Sequence, residues 1–144
     1  MDFMKRILCR RLLKEAIRGS QHSKEYGLGT VLPVDEVEPL VITEEDARGY
    51  AFYFDKALHT YYLINKENHR ILFVGSTGTT EFDKTHTPEE VIRHDIENHW
   101  NMFMCISAFV DAGGDKKREN SVIDKFGDGF LSSLISGKIQ FQFD

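Results

Sequence analysis

Two apolar runs flank a polar turn in the middle of the chain. His59, Thr60, Tyr61, Tyr62, Leu63 and Ile64 lead through Asn65 to His69 and Arg70, and Ile71, Leu72, Phe73 and Val74 follow. Setting Asn65 opposite Arg70 predicts a hairpin that pairs Ile64 with Ile71, Leu63 with Leu72, Tyr62 with Phe73 and Tyr61 with Val74. Apolar pairs then fall on both faces. Such a hairpin has to be covered on both sides, or on one side by the chain and on the other by a partner.

Helical spacing dominates elsewhere. Between residues 4 and 18, apolar positions at Met4, Leu8, Leu12, Leu13, Ala16 and Ile17 predict a helix that Gly19 ends. Three readings fit this basic segment: a surface helix laying its Lys and Arg stems along apolar surface, a contact for membrane surface or nucleic acid, or a targeting peptide. Asp2, Glu15 and the lack of a long apolar run count against the last. Residues 19–33, with Gly19, Ser20, Ser23, Gly27, Gly29 and Pro33, read as a connector. Thr30 to Leu32 and Pro39 to Ile42 are short strand candidates, which Pro33 and Pro39 confine to edges.

Thr43-Glu44-Glu45-Asp46 has the form of a capping box, and Ala47, Tyr50, Ala51, Phe54, Ala57 and Leu58 recur at three and four. The pattern predicts a helix through about residue 57, with an aromatic strand at 50–54 as the rival. Residues 75–84 read as a loop. Thr87-Pro88-Glu89-Glu90 is the strongest helix start, with Thr as N-cap, Pro at the first helical position and Glu at the third. The stripe Ile92, Ile96, His99, Phe103, Ile106 and Val110 follows, and Gly113-Gly114 stop it. This helix is the best placed to pack on the hairpin. Residues 115–119 read as a solvated charged turn before a helix from Ser121, weakened by Gly127 and Gly129. After Gly137, Ile139, Phe141 and Phe143 alternate with polar residues as a half-buried strand does.

The order of elements predicts an α+β fold: a small, mostly antiparallel sheet built on the hairpin at about 59–75, with helices packed on it. At 144 residues the chain has the length of a single globular domain, preceded by the basic helix at about 4–18. No apolar run approaches the roughly twenty residues that span a bilayer. Cys9 and Cys105 stand at neither metal nor redox spacing, which fits a reducing, cytoplasmic setting without disulfides. Charge is polarised. Residues 1–18 hold six basic and two acidic side chains, leaving twelve basic and twenty-one acidic for the rest, a body that repels nucleic acid and anionic membrane and suits a basic partner.

Candidate chemistry is sparse. Gly75, Ser76, Thr77, Gly78, Thr79 and Thr80 leave a strand with the glycine and hydroxyl content of a backbone that can turn its N–H groups to an anion. Arg70, His86 and His94 are accessory groups for phosphate there. The loop lacks a P-loop lysine and dinucleotide spacing, and Gly, Ser and Thr also simply make turns. His86, His94 and His99 invite a metal reading, but His94 and His99 are five apart on a helix, not four. His99 falls on the apolar stripe as a core histidine with one hydrogen bond. The pairs His59-Thr60 and His86-Thr87 are each one residue short of the His-x-Thr pattern of two-histidine phosphoesterases. No side chain sits in a nucleophile frame.

The acidic run Asp35, Glu36, Glu38, Glu44, Glu45 and Asp46 is either a solvated loop and helix start or a surface for a basic partner. Two functions follow: a non-catalytic binding or inhibitory module acting through protein contacts, or an enzyme or sensor that takes a small phosphorylated ligand at the 75–80 loop. Neither calls for a cofactor. A twofold dimer through the C-terminal strand is a further expectation.

Overall fold

The computed structural model describes residues 2–20, 26–40, 50–78 and 80–135. It is an α+β protein. Four strands, β1 (Glu38–Leu40), β2 (Tyr50–Asp55), β3 (Thr60–Asn65) and β4 (Ile71–Ser76), form one antiparallel sheet in chain order. The helices are α1 (Phe3–Ser20), α2 (Glu81–Thr85), α3 (Pro88–Asp111) and α4 (Lys116–Ile135). The contacts divide the chain into two compact units, Tyr26–Asn98 and the combination of Met1–Glu25 with His99–Asp144.

In the first unit β3 is central, and every side chain from Thr60 to Ile64 is buried. Strand alternation sends Tyr62 and Ile64 to one face, where they join Leu32, Ile71 and Val74 in a core cluster. Tyr26, Leu28, Val34 and Val37 pack against that cluster, so the connector covers this face of the sheet. It is also hydrogen-bonded there. Gly29 N–H donates to the Ile71 carbonyl (2.7 Å), Ile71 N–H to that of Thr30 (2.8 Å), and Leu32 N–H to that of His69 (2.9 Å). Val31 makes one bridge to Arg70 and not the short strand that the sequence pattern predicts. The opposite face carries Phe52, Phe54, Tyr61, Leu63 and Phe73, with the Tyr61 ring centroid 6.4 Å from those of Phe52 and Phe73.

The predicted hairpin register holds only at its closed end. Asn65 N–H donates to the Arg70 carbonyl (3.0 Å) and Ile64 faces Ile71. Beyond this pair Leu72 is an extra residue on β4, so Leu63 faces Phe73, Tyr62 faces Val74 and Tyr61 faces Gly75. The shift decides what lies under Tyr61. A Cβ at position 75 would stand 2.1 Å from Tyr61 Cζ, so the phenol ring occupies the space that only glycine leaves. The Tyr61 hydroxyl then donates to Asp95 Oδ2 on α3 (2.8 Å).

Residues 50–55 are strand and not the C-terminal part of a helix. Their aromatic side chains alternate, and all six residues pair with β3, which gives the central strand its second hydrogen-bonded neighbour. The cap expected at Thr43, and the terminal strand expected at 139–143, lie outside the described residues. Pro39 sits on the edge strand β1. Within the expected loop, Thr80 starts α2 through a capping box: its Oγ1 accepts Asp83 N–H (3.0 Å), and Asp83 Oδ2 accepts Thr80 N–H (3.4 Å).

In the second unit α1 lies against α4. The charged stretch at 115–119 is exposed from Asp115 to Arg118, as expected, but it forms the start of α4 and not a turn. Asp115 Oδ1 accepts the N–H groups of Lys117 (3.0 Å) and Arg118 (3.2 Å), and α4 begins at Lys116. Glu119 is consequently buried, where it pairs with Arg10 of α1, whose guanidinium also donates to Asn120 and lies 5.9 Å from the Phe109 ring centroid. Arg6 makes a two-pronged pair with Asp124 (2.7 and 2.9 Å) nearer solvent. Gly129 admits a close crossing, since a Cβ there would stand 2.6 Å from Asn101 Cγ. His99 has a non-helical backbone (φ −132°, ψ 32°) within α3.

The two ion pairs of α1 differ in solvent access, at 18% and 11% side-chain exposure for Arg10 and Glu119 against 33% and 41% for Arg6 and Asp124. Glu119→Ala, which strands a desolvated guanidinium, is expected to cost about 1–3 kcal/mol. Arg6→Ala is expected to cost under about 1 kcal/mol. Urea midpoints for both variants check the order, and equal losses would refute it.

Candidate functional site

The end of the sheet where β4 leaves also holds the β2–β3 turn. Pairing of Thr60 with Ser76 sets residues 56–59 beside residues 77 and 78. Thr77 N–H donates to the His59 carbonyl (2.8 Å), which fastens the loop to the turn. His59 adopts a left-handed backbone (φ 50°), a conformation uncommon outside glycine but more frequent for His than for most residues. A cleft of about 490 Å³ opens here. Phe54 and Pro88 supply its apolar lining; Thr77, Gly78, Lys56, Lys84, His59, His86 and Asp83 supply the polar one.

His86 is held in place by its neighbours. Its Nδ1 lies 2.8 Å from the Phe82 carbonyl, which can only accept, so Nδ1 carries a proton and Nε2 is the nitrogen left for a ligand. Its ring stacks on Phe82 at 3.7 Å between centroids, and His94 stacks on the same ring at 4.1 Å. Phe82 is thus sandwiched between two imidazoles. Immediately beyond, Thr87 caps α3 reciprocally: Thr87 N–H donates to Glu90 Oε1 (3.1 Å) and Glu90 N–H to Thr87 Oγ1 (3.3 Å). The hydrogen bond from the Thr87 backbone, followed by that involving its side chain, holds the Glu90 carboxyl below the usual carboxylate range.

The residues singled out by sequence separate into groups. Thr77, Gly78 and His86 line the cleft. Gly75 lies under the Tyr61 ring, Ser76 Oγ accepts the Gly78 N–H (3.3 Å), Thr80 caps α2, and Thr79 lies outside the described residues. The N–H groups of Thr77, Gly78 and Thr80 are therefore all taken by the protein itself, and they form no anion nest of the kind the loop composition suggests. Arg70 is elsewhere, donating to the Gly29 carbonyl (2.7 Å). His94 is spent on the Phe82 stack. His99 is half-buried, and its Nδ1 has no hydrogen-bond partner among the described residues.

Among the described residues no group of three or more His, Cys, Asp or Glu side chains is arranged to hold a metal ion. Asp35, Glu36 and Glu38 are exposed on the turn at Val34–Glu36 and on β1, with Glu36 accepting the Tyr26 hydroxyl (2.9 Å); Glu44, Glu45 and Asp46 lie outside the described residues. The two cysteines, distant in sequence, meet as buried free thiols. Hydrogen bonding from Cys105 draws the Cys9 thiol down, while the same bond and burial push the Cys105 thiol up. No described helix is long and apolar enough to cross a membrane.

Lys56 and Lys84 carry no motif and do not stand out in the sequence as site residues, and His59 stands out only in a His-Thr pair that falls short of a known pattern. Their signal is topological: once β3 and β4 are in register, the turn before one and the exit of the other share an end of the sheet. Comparison of the chain with protein-family models, curated proteins and solved structures finds no match.

The cap beside the cleft has a pH signature. Because folding lowers the Glu90 pKa, the carboxylate stabilises the fold above its unfolded value of about 4.3, and that contribution fades as pH falls through the lower folded value. Glu90→Gln should therefore melt below wild type at neutral pH and converge with it in acid. A constant difference in melting temperature across that range would contradict the assignment.

Proposed function

We propose that this protein is a binding module for a small phosphorylated ligand, held in the cleft by the side chains of Lys56, Lys84, His59 and His86. The observation that carries this reading is the gathering of cations in an acidic unit. Residues 26–98 contain six Lys and Arg against fourteen Asp and Glu, and two of those six line one cleft together with two imidazoles. Asp83, the one carboxylate among the described residues that line it, is occupied as the α2 cap. A volume of about 490 Å³ suits a small molecule. Phe54 and Pro88 offer apolar surface to the rest of the ligand while the ammonium groups meet the phosphate as point charges.

The reading assigns binding, not turnover. Among the described residues that line the cleft, the imidazole and ammonium groups offer charge neutralisation and hydrogen bonding. A second reading, a contact for a basic protein, rests on Asp35, Glu36 and Glu38, which stand exposed beside the edge strand. It predicts association that weakens as salt rises.

Calorimetric titration with inorganic phosphate and a panel of phosphosugars and nucleoside monophosphates tests the first reading. Lys56→Ala and Lys84→Ala should each weaken binding by roughly tenfold, on the scale of a charge-assisted hydrogen bond, while melting as wild type does. Absence of binding across the panel, or variants that bind as wild type does, would overturn it.

A further inference from the structure

The solvent face of α1 is built unlike that of an ordinary surface helix. Its inner side buries Cys9, Leu13 and Ala16. Opposite them, where polar residues are expected, Phe3 and Met4 are each 72% exposed, and Ile7 and Leu8 are about half exposed. At 100° per residue these four occupy a sector of roughly 140°. Arg11, Lys14 and Arg18 continue the same sector over the following turns, all exposed. Glu15, the single carboxylate of α1, lies in the sector too, with its Oε1 3.9 Å from Arg11 Nε. The outer face is therefore apolar in its first two turns and cationic in the rest.

We infer that this face of α1 docks on an anionic lipid surface. Charge complementarity selects the occupant. Cations and large apolar groups together on one convex face match the negatively charged, apolar boundary of a bilayer, where Phe, Met, Ile and Leu enter below the headgroups and Lys and Arg meet the phosphates. A second helix would instead need a narrow seam, and a sector of roughly 140° is wide for one. The inner side fixes the presentation, because Arg6 and Arg10 are committed to Asp124 and to Glu119 and Asn120 of α4. The helix thus keeps its axis on the protein while its outer face stays available. The acidic remainder of the chain is repelled by the same surface, so the attraction has to come from this face of α1.

Flotation of the full chain with vesicles tests the inference. The protein should rise with vesicles of phosphatidylserine and phosphatidylcholine and stay behind with phosphatidylcholine alone. Phe3→Ser with Ile7→Ser should reduce the bound fraction by roughly tenfold, and so should Lys14→Glu with Arg18→Glu, both variants melting as wild type does because the altered residues are exposed. The second variant keeps the test intact if the first misfolds. Equal flotation with neutral vesicles, retention in both variants, or no flotation at all would overturn the inference. A dimer in sedimentation that Phe3→Ser with Ile7→Ser dissolves, without vesicle binding, would assign the face to a second copy and overturn it as well.

Discussion

The sheet unit depends on one steric fact, that the Tyr61 ring lies across Gly75. A side chain at position 75 would meet the ring at 2.1 Å, so the ring can take this position only over a glycine, and only in a register that puts the glycine there. The bulge at Leu72 supplies that register. Without it Val74 would face Tyr61; with it Val74 packs beside Tyr62 on the opposite face, in the cluster that the connector covers. The hydroxyl end of the same ring reaches Asp95 and ties the first half of α3 to the sheet. Burial, followed by the Asp95 charge, pushes the Tyr61 phenol well above its ordinary range, so it acts as a donor throughout the physiological range.

That arrangement bears on the cleft through the chain. Gly75 is followed at once by Ser76, paired with Thr60, and by Thr77, whose N–H is fastened to His59. The register that seats the glycine therefore also sets the turn carrying Lys56 and His59 beside the loop leading to Lys84 and His86. Binding, on the proposed reading, is a consequence of strand pairing more than of any local motif. Of the glycine and hydroxyl residues that draw attention in the sequence, Gly75 and Thr80 serve packing and a cap and Thr77 and Gly78 line the cleft, while the ammonium groups beside them come from Lys56 on a turn and Lys84 on α2.

Much of the architecture was legible in the residues. The hairpin, its two-faced apolar character, the basic N-terminal helix, and the start of α3 at Thr87-Pro88-Glu89-Glu90 follow from periodicity and cap chemistry that act locally. The failures share a physical origin. The helical spacing at 47–58 competes with the demand of β3 for a second paired neighbour, a tertiary interaction that periodicity does not carry. The bulge at Leu72 reflects the fit of a ring over a glycine across two strands, which no pairing rule based on hydrophobicity contains. The charged run at 115–119 does face solvent as far as Arg118, and its one buried member, Glu119, is met by Arg10, more than a hundred residues away. The site was legible only at Thr77, Gly78 and His86, because the other cations reach the cleft through topology.

A double-mutant cycle in urea at positions 61 and 75 tests this account most directly. Gly75→Ala should destabilise the wild-type chain by roughly 1–3 kcal/mol, the usual cost of forcing a methyl group into filled space. In a Tyr61→Ala background the same substitution should cost little, since the ring that would clash is gone, and the coupling should exceed about 1 kcal/mol. Equal costs of Gly75→Ala in the two backgrounds would contradict the claim that the glycine, and the bulge that places it, exist to seat the Tyr61 ring.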